Sequence, residues 1–186
     1  ALERAFSEMN AGNWEEALRL AEGGGTVARD IIEWHRLRAG QGTAQEALKF
    51  LERNGDWPGL PYLQKQSEVV LSDANDQTIL TYFENSAPKT GAGALAYALA
   101  LSKDGQSNKA GLVAQNAWVT LPLTAPQQDT FLSSFGSALT PLHELRLIEM
   151  LWMDEHASAQ QMGELVGADL TALLRARIAL RKGQEG

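Results

Sequence analysis

Apolar residues along this chain recur with the period of a helix, and short runs of glycine, proline and small polar residues interrupt them. There is no convincing alternating strand, and no Asn-Gly or Asp-Gly hairpin lies between alternating segments. The pattern therefore predicts an all-α chain of about a dozen helices of ordinary length, joined by connections typical of helix hairpins.

Two segments strengthen the helical prediction. Thr43 precedes the segment "AQEALKFLERN", and Glu46 follows it three residues later, which predicts a capping box at the start of a helix. The segment "GALAYALAL" (93–101) is small and apolar on every side. A helix of that composition has to be buried all round, as it is between neighbouring hairpins.

A glycine followed five residues later by an alanine recurs at the start of three predicted helices, in "GNWEEA" (12–17), "GTAQEA" (42–47) and "GQSNKA" (105–110). In each we expect the glycine to end one helix and the alanine to let the next approach closely. The third unit continues to Ala117 and Pro122, matching the second half of a tetratricopeptide repeat. We predict one domain over 1–186, a right-handed α-superhelix of helix hairpins with degenerate tetratricopeptide-like repeats.

Composition narrows the function classes. The net charge of -7 argues against a nucleic-acid binder, because neutralising phosphates needs a basic face. The chain has no cysteine, which removes disulfides, thiolate metal sites and cysteine nucleophiles. No apolar stretch approaches the roughly 18 residues of a membrane span. We therefore expect no nucleic-acid partner and no membrane span.

The stretch "IIEWHRLRAG" (31–40) collects reactive residue types and is the first candidate site. On a helical wheel His35 falls among apolar residues, whereas Glu33 and Arg36 face away and pair most simply as solvated ions. We expect His35 to be structural, hydrogen-bonded to a backbone carbonyl or a carboxylate. We also expect Trp34 and His35 to pack on the following helix, around Leu48 and Leu51.

Three further stretches resemble catalytic motifs and fail on spacing or context. His143-Glu144 lacks the second histidine of a zincin, since Leu147 occupies that position. The adjacent side chains of "DEH" (154–156) do not converge on one metal, so we expect a polar turn. "SAPKTG" (86–91) offers a single lysine where penicillin-binding enzymes need two distant elements, so we expect a turn and a helix cap. We assign no catalytic, cofactor-binding or metal-binding residue.

The stretch "NGDWPGLPYL" (54–63) places two prolines and a tryptophan between helices. The favoured interpretation is a stiff corner with Trp57 buried at a hairpin interface. The functional alternative is an exposed aromatic platform for a sugar or a peptide.

Several blocks resemble the N-terminal region of the soluble lytic murein transglycosylases of proteobacteria. The blocks are "ARDIIEWHRLRAGQGTAQEALKFLERNGDWPGLPYLQKQSE" (28–68), "TGAGALAYALALSKDGQSNKA" with the following "AW" (90–118), "FGSALTPLHELRLIEMLW" (135–152) and "RARIAL" (175–180). They occur in the family's order and span most of the chain.

The resemblance implies a periplasmic enzyme in which a U-shaped or ring-shaped superhelix carries a lysozyme-like domain. That domain cleaves the MurNAc–GlcNAc bond of peptidoglycan to a 1,6-anhydro product, with a catalytic glutamate in a Glu-Ser motif. This chain has no Glu-Ser in a suitable setting and ends at Gly186, before that domain is expected. We therefore expect a non-catalytic, cofactor-free scaffold whose partners are glycan strands and cell-wall proteins. The alternative is a free-standing tetratricopeptide-like adaptor that binds peptides in a groove.

Overall fold

A computed structural model describes residues 2–181 and 183, and within that part of the chain every regular element is helical. The predicted all-α class is therefore confirmed. No helix in the described part is long and apolar enough to cross a membrane. Contacts divide the chain into two compact units, residues 1–86 and 87–186, and each is described by itself. The single superhelical domain and its right-handed, tetratricopeptide-like arrangement stay predictions.

The first unit contains helices α1 to α6 and a short 3-10 helix before α6. The bounds are α1 Leu2–Asn10, α2 Trp14–Glu22, α3 Thr26–Arg38, α4 Ala44–Arg53, α5 Leu60–Ser67, the 3-10 helix Glu68–Asp73 and α6 Asp76–Tyr82. Part of its core consists of small residues that allow helices to approach closely, namely Ala5, Ala17 and Ala21 around Ile32.

The second unit contains helices α7 to α12. The bounds are α7 Gly91–Lys103, α8 Ser107–Thr120, α9 Ala125–Leu139, a 3-10 helix Thr140–Leu142, α10 His143–Trp152, α11 His156–Gln160 and α12 Ala168–Arg181. Its core brings large side chains together, including Trp118, Phe131, Leu147 and Met150. Helix α7 has no exposed residue from Gly91 to Leu101, as the segment 93–101 predicted.

One backbone conformation links three of the helix hairpins. Gly12, Gly105 and Asp154 have φ values of 82°, 80° and 58°, in the left-handed region. The amide of the residue after each bonds to the carbonyl five positions earlier, which closes the preceding helix in a Schellman turn. The next helix begins two residues after each left-handed residue, at Trp14, Ser107 and His156.

The alanine that follows each link is buried, which explains the repeat in the sequence. Ala17, Ala110 and Ala159 are at most 1% exposed, and each lies five positions after its left-handed residue. The link at Asp154 was missed because an aspartate occupies the position where the pattern has glycine. The stretch "DEH" is therefore a link between two helices, which agrees with the polar turn that we expected.

The unit at 42–47 is built differently from the prediction. Gly40, not Gly42, closes helix α3, with the Gln41 amide bonded to the Arg36 carbonyl. The prediction that Gly42 ends the helix was wrong, because two more residues are inserted before the cap at Thr43. The predicted capping box is present, since the Glu46 amide donates to the Thr43 hydroxyl and the Glu46 carboxylate accepts from the Thr43 amide at 2.7 Å.

Candidate functional site

The two stretches singled out in the sequence, 31–40 and 54–63, come together in the first unit. The Trp34 indole Nε1 donates to the Pro58 carbonyl at 3.1 Å. The Trp57 ring lies 5.5 Å from the Phe50 ring and 6.5 Å from the Trp34 ring, centroid to centroid. The corner between α4 and α5 is therefore fixed onto α3 by aromatic contacts.

Local backbone chemistry produces this corner. Helix α4 ends at Arg53, and Pro61 occupies the first turn of α5, where proline costs no hydrogen bond. Gly59 precedes α5 with a φ of 70°, a conformation that other residues adopt only with strain. The corner between helices is present, and Trp57 is half-buried there, less than the buried position that we expected.

Arg38 lies over two aromatic rings at this corner. Its guanidinium carbon is 4.1 Å from the centroid of Trp34 and 5.0 Å from that of Tyr62. Within the described residues, Arg38 makes no hydrogen bond or ion pair. The Tyr62 side chain is 48% exposed. We call Trp34, Arg38 and Tyr62 the arginine stack. It places a cation beside an exposed ring.

His35 lies against two aromatic rings. Its ring centroid is 4.8 Å from Trp34 and 6.4 Å from Phe6 of α1, both edge-on. Burial, and secondarily the charge of Arg38, lower the pKa of His35. Its apolar surroundings are confirmed. The expected hydrogen bond of His35 is not present within the described residues. The packing of Trp34 and His35 around Leu48 and Leu51 stays a prediction.

The ion pairs of helix α3 correct a second prediction. Glu33 is buried and forms an ion pair with Arg53 of α4 at 3.0 Å. Asp30 pairs with the same arginine at 3.1 Å. Arg36 instead pairs with Glu46 of α4 at 2.7 Å. The solvated Glu33–Arg36 pair was wrong because α4 covers that side of α3, so each side chain reaches across to a partner of opposite charge.

The pKa of Glu46 reflects this arrangement. Burial raises the pKa of the Glu46 carboxyl, but the hydrogen bonds from Arg36 and Thr43 outweigh it, and the net pKa is lowered. The carboxylate therefore ties the cap of α4 to α3.

The second unit contains a related trio that sequence reasoning did not single out. On α10, His143 stands three residues before Arg146, as His35 does before Arg38 on α3. The guanidinium carbon of Arg146 is 4.7 Å from the Trp118 ring centroid, and the His143 ring is 5.5 Å from the same indole. Burial, and then Arg146, lower the pKa of His143.

Arg146 has a clear structural task. Its side chain is fully buried, and Nη1 donates to the carbonyls of Trp118 and Leu121, the latter at 3.1 Å. Those carbonyls lie at the C-terminal end of α8. The last carbonyls of a helix have no donor within the helix and carry a partial negative charge, so they attract a cation. Burial lowers the pKa of Arg146 to about 10, so the guanidinium stays charged at neutral pH.

The catalytic resemblances have no support in the geometry. Thr90 caps α7 by accepting the Gly93 amide at 3.0 Å, which confirms the predicted helix cap in "SAPKTG", while residues 86–89 form an irregular connection. No group of three or more histidine, aspartate or glutamate side chains converges on a metal position in residues 2–181 and 183.

Part of the arginine stack could have been predicted from the sequence. Trp34 and Arg38 are four residues apart on a helix, the spacing at which side chains meet. The contribution of Tyr62, which comes from α5 across a corner, leaves no signal of that kind.

No family description, curated protein or solved structure matches this chain at a significant level.

Proposed function

We propose that this chain is the non-catalytic superhelical scaffold of a periplasmic lytic transglycosylase. The observation that carries the proposal is the resemblance of four sequence blocks, which occur in the family's order between residues 28 and 180. The all-helical architecture and the repeated hairpin link support it, since a superhelix is built by stacking such hairpins. The catalytic glutamate belongs, in this proposal, to a lysozyme-like domain elsewhere in the parent enzyme.

The scaffold positions peptidoglycan, or proteins of the cell-wall machinery, near that active site. No residue of this chain performs the cleavage of the MurNAc–GlcNAc bond or forms the 1,6-anhydro product. The role is geometric, which suits helices that are locked by aromatic contacts at the corner before α5 and by ion pairs between α3 and α4.

A murein zymogram tests the proposal. The chain alone should give no clearing, whereas a lysozyme control in the next lane clears the gel. Clearing by this chain would overturn the non-catalytic assignment. The native reading frame beyond Gly186 provides the second test, because a parent protein without a lysozyme-like domain would end the transglycosylase proposal. Fractionation of cells should place the parent protein in the periplasm.

A peptide-binding adaptor is the second candidate. A surface groove of about 670 Å³ in the first unit is lined by residues at the α1–α2 and α3–α4 connections, including Gly12, Trp14, Arg36 and Gly42. Helix-hairpin repeats bind extended peptides in such grooves. A screen for specific peptides, run beside a sedimentation assay with purified peptidoglycan sacculi, separates the two functions. Specific peptides without sacculus binding favour the adaptor, and the reverse favours the scaffold.

A further inference from the structure

Arg38 differs in its partners from Arg36, Arg53 and Arg146, and it resembles Arg177, whose guanidinium carbon lies 5.3 Å from the Trp152 ring centroid. Arg36 and Arg53 are paired with carboxylates, and Arg146 caps a helix. The Arg38 guanidinium carbon lies 4.1 Å and 5.0 Å from two ring centroids, and the side chain has no hydrogen-bond acceptor within the described residues. A guanidinium has five N–H donors, and stacking on rings uses none of them.

The indole on which Arg38 lies is held in place before any ligand arrives. Trp34 is held by the Pro58 carbonyl and by its contact with Trp57. Gly59 lies next to the stack, since a Cβ there would be 3.6 Å from the Arg38 Nη1 atom and 3.8 Å from Trp34. Side chains that are already ordered lose little entropy on binding, and this favours a ligand that fits the existing geometry.

We propose that the arginine stack is a binding site for a small carboxylate carried on an apolar or sugar group. The carboxylate lies in the plane of the Arg38 guanidinium and accepts two parallel hydrogen bonds from its edge. The attached group lies against the exposed part of the Tyr62 ring. The ligand is the C-terminus of a peptide or an acid sugar, which share this chemistry.

Charge selects a carboxylate over a phosphate. The chain carries a net charge of -7, which repels a phosphate dianion more strongly than a singly charged carboxylate. One guanidinium matches the single charge of a carboxylate, whereas a phosphate dianion calls for further donors. The site stands whether or not the parent protein is a transglycosylase, so the two proposals fail independently.

An NMR titration with two matched pairs of probes tests the site. The first pair is N-acetyl-alanyl-alanine with a free carboxylate and the same dipeptide as its amide. The second is N-acetylmuramic acid and N-acetylglucosamine, which differ by the lactyl ether group that carries the carboxylate. We expect the amide signals of Gly59 and Tyr62 and the Arg38 Nε signal to move saturably, with a Kd on the order of 1 mM.

The neutral member of each pair should bind at least about tenfold more weakly, because it cannot accept the paired hydrogen bonds. Saturation by the dipeptide acid alone supports a peptide source, and saturation by the acid sugar alone supports a glycan source. The inference is overturned if neither acid saturates these signals, or if the neutral probes bind equally well.

Variants separate the site from general electrostatics. Arg38→Gln should abolish binding of the acid probe, and Arg38→Lys should weaken it because a lysine lacks the planar fork. Arg29→Gln is the matched control, since Arg29 is an exposed arginine on the same helix and its loss changes the net charge equally. Equal weakening by Arg29→Gln and Arg38→Gln would contradict the proposal.

The pKa of His35 gives a readout that a purely structural arginine would not move. The charge of Arg38 contributes to lowering that pKa, so a bound carboxylate should raise it. Circular dichroism confirms that each variant is folded. Tyr62→Leu keeps the arginine, removes the ring and should weaken the acid probes, and unchanged binding by this variant would remove Tyr62 from the site.

Discussion

The two units of this protein use the same three residue types in opposite ways. In the first, His35 precedes Arg38 on α3, and the guanidinium lies over Trp34 without a hydrogen-bond acceptor in the part of the chain that the structure describes. In the second, His143 precedes Arg146 on α10, and the guanidinium lies over Trp118 but donates to two carbonyls. Burial and acceptors, not the sequence pattern, make one arginine a helix cap and leave the other free for a ligand.

Truncation of the two arginines should give the largest difference. Arg146→Ala removes a fully buried side chain and leaves two carbonyls at the end of α8 without a donor. We expect the free energy of unfolding to fall by about 3 kcal/mol or more. Arg38→Ala loses a half-exposed cation–π contact and should cost less than about 1 kcal/mol. Urea denaturation followed by circular dichroism measures both.

Arg146→Met is the control for volume. Methionine keeps a long side chain but has no hydrogen-bond donor. The free energy of unfolding of this variant should therefore lie between those of the alanine variant and the wild type. If truncating Arg38 destabilises the protein as much as truncating Arg146, the distinction between a helix cap and a free cation is lost.

The hairpin links should behave alike in both units, because their backbone conformation is shared. Gly12→Ala and Gly105→Ala each force a side chain into the left-handed region and should cost about 1 kcal/mol. No atom lies within 4 Å of a Cβ at either position, so steric clashes do not add to this cost. Asp154→Gly should stabilise by about 0.5–1 kcal/mol, since it relieves the same strain.

Unequal costs at the two glycines would show that the links are not equivalent, and no gain at Asp154 would contradict its strain. Thermal unfolding of the three variants at one pH is sufficient for this comparison.

The two histidines should make stability depend weakly on pH. Burial, and then the neighbouring arginine, lower the pKa of His35 and of His143 in the folded protein. Below about pH 6.5 the unfolded chain therefore binds more protons, and the stability present above that pH falls as the solution becomes more acidic. We expect the Tm to drop between pH 8 and pH 5.5, and His35→Leu and His143→Leu each to reduce the drop. A drop that neither variant alters would exclude the histidines as its source.

Much of the fold was predictable because its determinants are local. The capping box at Thr43, the cap at Thr90 and the buried helix of 93–101 follow from neighbouring residues. The left-handed link at Asp154 was missed because glycine was the only residue type expected there.

The candidate site was not predictable, because its contacts cross between elements. Helical phase placed Glu33 toward solvent, but α4 lies there and supplies Arg53. Trp34 also bonds to the Pro58 carbonyl, a partner that helical phase did not indicate, since the corner before α5 folds back onto α3. A helical wheel describes the faces of a single helix and does not show which neighbouring element covers each face.

The most direct test observes both arginines in one sample. A proton–nitrogen spectrum of the arginine Nε groups, recorded while N-acetyl-alanyl-alanine is added, compares Arg38 with Arg146 under identical conditions. We predict that the Arg38 signal moves saturably with the carboxylate, whereas the Arg146 signal stays in place and exchanges its proton slowly because it is buried. An unmoved Arg38 signal, or a response at Arg146 instead, would contradict the account.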